Sequence, residues 1–146
     1  MKNRTRILAF LCNWAPWSCY IGMGDKGIPI PDEVNVIKVM CAGRVNTALL
    51  LKAFEKGADG VLIIGCRIDN CQNGTGSELA EKNIYNAYEI FDLLGLQKQR
   101  LQFKYYLAHE SEKLSRDLDG FVKQIEELGK SPVFSDPEDS TSVVKK

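Results

Sequence analysis

The chain has 146 residues, 45% hydrophobic and 26% charged, with 19 basic residues against 19 acidic ones. That balance sets up no net field favouring nucleic acid or an anionic membrane, and the length suits one domain whose core needs no disulfides. No stretch approaches the ~20 apolar residues of a membrane span, and the apolar run behind the basic start is cut at Asn13, too soon for a signal peptide. The expected compartment is the cytoplasm, where the five cysteines read as ligands, redox centres or buried apolar residues rather than disulfides.

In chain order, Arg6–Cys12 (RILAFLC) predicts a strand covered on both faces. Residues 13–33 show no clear helical period and carry Gly22, Gly24, Gly27, Pro16, Pro29 and Pro31, so they read as a long loop with room for one helical turn. Val34–Cys41 alternates as a second strand. Asn46 is placed to cap a helix running to Lys56, with Leu49, Leu50, Ala53 and Phe54 as its stripe and Gly57 as its stop.

Gly60–Cys66 (GVLIIGC) is the most hydrophobic segment and therefore the central strand. Thr75-Gly76-Ser77-Glu78 fits a capping box ahead of a helix that ends at Gly95. Leu101–Leu107 alternates as an edge strand, and Glu112–Leu128 carries a third apolar stripe before Gly129. Residues 130–146 are rich in Ser, Pro, Asp and Glu and read as a disordered tail behind a domain covering 1–129. This succession specifies an α/β fold: small, flavodoxin-like and three-layered, with a mainly parallel four-stranded sheet in the order 2-1-3-4.

In such a sheet Cys12, Cys41 and Cys66 all fall at the carboxyl edge, with Cys71 one short loop further on. Open α/β sheets bind their ligands there. A single cysteine at a strand end is ordinarily a small core residue. Four at corresponding ends point to a thiolate-held metal or iron–sulfur site. The single histidine, His109, leaves no His-rich metal site and no serine-hydrolase triad.

Four thiolates suit either structural zinc or a cluster. Zinc ribbons bring two close cysteine pairs, and this chain has only Cys66-x4-Cys71, which favours the cluster. Cys19, inside Trp14-Ala15-Pro16-Trp17-Ser18-Cys19, competes with Cys12 for a ligand place or stands as a free thiol beside the site. Asn73–Ser77 lacks the lysine of a phosphate loop and reads as a helix cap. Two other classes stay open: a thiol-dependent redox enzyme working through Cys66 or Cys71, and a structural zinc module.

At these residues the chain resembles the delta subunit of methyl-viologen-reducing hydrogenase, the MvhD family. The pieces are Ala9-Phe10-Leu11-Cys12-Asn13-Trp14, Ile37–Val45 with Met40-Cys41-Ala42-Gly43-Arg44, Leu51-Lys52-Ala53-Phe54 with Gly57–Val61, Gly65-Cys66, Asp69-Asn70-Cys71, and Glu110 with Glu112-Lys113. It departs from the family pattern at Ala15, where members commonly carry a cysteine, and at Arg67–Asn70.

The resemblance implies an electron-transfer subunit with a [2Fe–2S] cluster. Its partners would be a hydrogenase or other donor and a flavin-containing heterodisulfide-reductase-like subunit. It also implies Cys12, Cys41, Cys66 and Cys71 as ligands, with Arg44 beside the cluster as a cation that raises its potential. Trp14, Trp17, Tyr20, Ile21 and Met23 then offer groups for partner docking.

Overall fold

The structure is a computed structural model that describes residues 4–67 and 74–132. Four strands, β1 (Ile7–Cys12), β2 (Val34–Val39), β3 (Gly60–Gly65) and β4 (Leu101–Tyr105), form one sheet in the order β2-β1-β3-β4. Every pairing is parallel. The helices are α1 (Ala15–Asp25), α2 (Thr47–Glu55), α3 (Gly76–Leu94) and α4 (Ser111–Leu128), and a short 3-10 turn, Ala42–Arg44, follows β2. The expected fold class and strand order are the ones observed. The tail from 133 onward lies outside the described residues.

The alternation of β1 and β3 divides the core. Ile7, Ala9, Leu11, Leu62 and Ile64 point to one face and pack with α1 and α4, where Leu114, Leu118, Phe121 and Ile125 meet them. Phe10, Val61 and Ile63 point to the other face, against Leu50 and Phe54 of α2 and Ala80, Ile84, Ala87 and Phe91 of α3. Burial on both faces accounts for the unbroken apolar run of β3, which is covered along its whole length. Asn46 caps α2 as expected, its side chain accepting from the Leu49 N–H at 2.9 Å.

The segment read as a loop over 13–33 is corrected: it contains the three-turn helix α1. Pro16 lies in its first turn, where the missing N–H costs nothing. The buried stripe is Pro16, Cys19 and Met23, at helical spacing but without a Leu or Ile to announce it. Gly22 is a packing residue, since a Cβ there would collide with Ser111 Oγ at the start of α4. The expected capping box at Thr75 does not form either. Thr75 makes no side-chain cap, and Ser77 bonds elsewhere.

The amino edge of the sheet holds a buried polar lock. Asp59, 1% exposed, accepts from the N–H groups of Arg6 (3.0 Å) and Ser131 (2.9 Å) and from Lys130 Nζ (3.0 Å). Arg100, fully buried, donates to the carbonyls of Asp59, Leu128, Gly129 and Lys130 at 2.9–3.2 Å and so finishes the end of α4. This lock lies at the opposite end of the strands from the cysteines.

Candidate metal centre

Parallel register brings the cysteines together. Leu11 pairs with Ile64, so Cys12 stands level with Gly65, one residue before Cys66. Cys12 pairs with Val39, two residues before Cys41. Crossovers return each strand in the same direction, so three sequence-distant segments deliver a cysteine to the same edge.

Cys12 and Cys66 are both buried, at 2% exposure, and Cys66 is near enough to raise the pKa of the Cys12 thiol. The Cys12 thiol also reaches towards the Met40 carbonyl at 3.9 Å. Its pKa is pushed up to about 11, first by burial and further by the neighbouring Cys66, against the lowering effect of backbone N–H groups at Trp14 and Ala42. The Cys12 thiol in such a place stays protonated unless a cation joins it. A metal reverses that balance by taking the thiolate and releasing the proton.

Cys41 is half-buried and opens the 3-10 turn, its carbonyl accepting from the Arg44 N–H at 3.0 Å. Strand β2 ends at Val39, so Cys41 sits just beyond the sheet rather than closing it. Arg44 is exposed at the end of the same turn. The expected ligand Cys71 lies outside the described residues. Among the described residues no group of three His, Cys, Asp or Glu side chains is gathered around one point for a metal. They supply the close pair Cys12 and Cys66, with Cys41 on the adjoining strand end. The chemistry of this donor set, thiols alone, fits an iron–sulfur or zinc centre.

Cys19 occupies a different environment. It is fully buried in the core between α1, α4 and the sheet, and its thiol donates to the Leu107 carbonyl at 2.7 Å. Burial raises its pKa, and the nearby Glu110 carboxylate adds to the rise. Ser111 Oγ donates to the Cys19 carbonyl at 3.0 Å, so both ends of this residue are fixed to the β4–α4 connection.

Of the residues expected to dock a partner, Met23 is core, and Trp17 and Tyr20 pack against it. Lys38 Nζ stands 4.8 Å over the Trp17 ring. Trp14 (42%) and Ile21 (47%) of the same set are exposed, and so are Met40 (58%) and Leu79 (46%), which the set did not include. Sequence reading missed Met40 and Leu79. A methionine ending a strand and a leucine in a helical stripe look like core until the fold leaves them outside.

The fold and the edge together define the class: a three-layer parallel α/β domain that gathers cysteines at the carboxyl ends of its strands. A sequence model of the family described as FlpD, methyl-viologen-reducing hydrogenase, delta subunit, matches residues 7–129, and the chain belongs to this family. It is 32% identical to the iron-sulfur subunit of the vhc F420-non-reducing hydrogenase of Methanococcus voltae, over 85% of this chain and 86% of that one. It is 28% identical to the iron-sulfur subunit of the vhu F420-non-reducing hydrogenase of Methanocaldococcus jannaschii, over 87% and 95%. One larger relative belongs to the Ferredoxin/F(420)H(2)-dependent CoB-CoM heterodisulfide reductase of Methanosarcina acetivorans. The chain is 40% identical to that reductase component over 84% of its own length, and spans only 16% of it.

Proposed function

We propose that the chain is a non-catalytic, cytoplasmic electron-transfer subunit. It would hold a [2Fe–2S] cluster through Cys12, Cys41, Cys66 and Cys71 and link a hydrogenase or other donor to a flavin-containing heterodisulfide-reductase-like subunit. The observation that carries this reading is the adjoining Cys12 and Cys66 thiols at the sheet edge, in a chain whose relatives are named iron-sulfur subunits. When bound, the cluster supplies a carrier of single electrons.

The chain's own residues would do the rest. Cys12 and Cys66, delivered by β1 and β3, form the rigid side of the centre, and Cys41 approaches from the turn after β2. The burial of Cys12 and Cys66 keeps water from their sulfurs, and Arg44 brings a positive charge to the Cys41 turn, which favours the reduced form. Among the described residues no helix is long and apolar enough to cross a membrane.

The assignment of Cys12 over Cys19 has direct support from their surroundings. Cys12 adjoins another thiol, whereas Cys19 is committed to a backbone carbonyl. Anaerobically purified protein should be brown, with about two irons and two acid-labile sulfides per chain. Cys12→Ser and Cys66→Ser should lose or strongly alter the visible spectrum, while Cys19→Ser keeps it. A colourless chain with one zinc and no sulfide would replace the cluster by a structural metal.

A further inference from the structure

We propose that the first turn of α3 is a positioning unit for the thiol edge, with Gly76 seating the Cys41 turn and Ser77 holding the backbone of Cys66. The Cys41 turn lies directly on the start of α3. A Cβ on Gly43 would stand 3.0 Å from the Gly76 carbonyl oxygen, 3.1 Å from Gly76 Cα and 3.4 Å from Leu79 Cδ2. The first two are backbone atoms and cannot swing aside, so a glycine–glycine contact fixes how near the turn approaches.

Ser77 is 1% exposed, and its hydroxyl donates to the Cys66 carbonyl at 2.7 Å. The fit there is close, since a Cβ on Gly65 would stand 3.0 Å from Ser77 Oγ. Further along α3, Asn83 Nδ2 donates to the Val45 carbonyl at 3.1 Å, and Thr47 Oγ1 donates to the Asn83 carbonyl at 3.0 Å. One helix thus grips both cysteine-bearing segments, from β2 and from β3, within two adjacent residues of its first turn. A residue with this role touches the backbone of a thiol-bearing residue and acts through it.

The test uses the full chain and reads two quantities. In the metal-free protein, iodoacetamide reaches the buried Cys66 and Cys19 through local opening and the half-buried Cys41 at its partly open surface, and peptide mapping reports each cysteine separately. Ser77→Ala should speed modification of Cys66 several-fold, and Gly43→Ala that of Cys41. Cys19, on the opposite face of the sheet, serves as the internal control and should keep its wild-type rate.

The second reading, which rests on the cluster proposal, is the midpoint potential after reconstitution with iron and sulfide. Loss of the Ser77 hydroxyl leaves the Cys66 carbonyl dipole uncompensated beside the centre, and the potential should shift to lower values. Equal potentials in Ser77→Ala and wild type, an unchanged Cys66 rate, or a Cys19 rate rising in step with it would overturn the positioning role. If the wild-type chain takes up no iron and sulfide, the cluster reading fails, and the alkylation rates alone decide the positioning.

Discussion

Single residues at the two ends of the strands do opposite work. At the carboxyl edge Cys12 and Cys66 are buried as near neighbours, whereas at the amino edge Arg100 and Asp59 are buried with every polar group engaged. Arg100→Met would leave four carbonyls without their donor, and it should cost about 3 kcal/mol or more in chemical denaturation.

Tyr106 gives the chain a pH dependence of its own. Burial, then its 2.6 Å hydrogen bond to Asp117 Oδ2, holds its hydroxyl well above the ordinary tyrosine range. The folded chain therefore keeps a proton that the unfolded chain releases above about pH 10. This contribution is complete below that pH and declines as pH rises beyond it. Urea unfolding of Tyr106→Phe at neutral pH and above pH 10 should show a loss of about 1 kcal/mol at the first and a shallower alkaline decline. An alkaline slope equal to that of wild type would show that Tyr106 does not carry it.

Among the elements, β3 and α4 make the closest helix–sheet contact through a missing side chain. A Cβ on Gly60 would stand 2.8 Å from Ile125 Cγ1 and 3.1 Å from Phe121 Cε1. Gly60→Ala should destabilise the fold by about 1–3 kcal/mol through overpacking, seen as a lower thermal midpoint. Because this contact lies at the amino end of β3, metal uptake at the other end should be unaffected when the variant is folded.

Helix α1 shows how packing overrides local sequence signals. Its glycines and proline suggest a loop, yet Gly22 allows the approach of Ser111, and Ser111 in turn bonds to Cys19. Gly22→Ala would force that hydroxyl aside and weaken the α1–α4 junction by about 1 kcal/mol. The measurement is again the denaturation midpoint, with Gly24→Ala as a control because nothing lies within 4 Å of its Cβ position.

For the molecule as a whole, the parallel topology puts exposed apolar side chains and buried thiols on one edge. Met40, Leu79 and Trp14 are exposed apolar side chains at this end, and under the proposed function they are the surface offered to a redox partner. If the proposed function holds, Met40→Lys together with Leu79→Lys should weaken co-purification with a partner from the native source while the visible spectrum of this chain is retained. Trp17→Ala should lower stability instead, because that ring packs on the core.

The sequence alone determined the layer class, the strand order, most element boundaries and the candidate cysteines. Hydrophobic period, helix caps and right-handed crossovers are local or nearly local rules, and they need no knowledge of distant contacts. The resemblance to the hydrogenase delta subunit family was likewise carried by short motifs such as Met40–Arg44 and Gly65-Cys66. Only the tertiary structure decided which environment each thiol enters: Cys12 comes near Cys66 on the neighbouring strand, while Cys19, its competitor by sequence, turns into the core and bonds to Leu107. It alone also decided that Gly22 and Gly43 are contact points and that Ser77 serves Cys66 rather than its own helix end. The reason is physical: a thiol's neighbours and a glycine's clearance are set by side chains tens of residues away, brought near only when the sheet forms and the helices close on it.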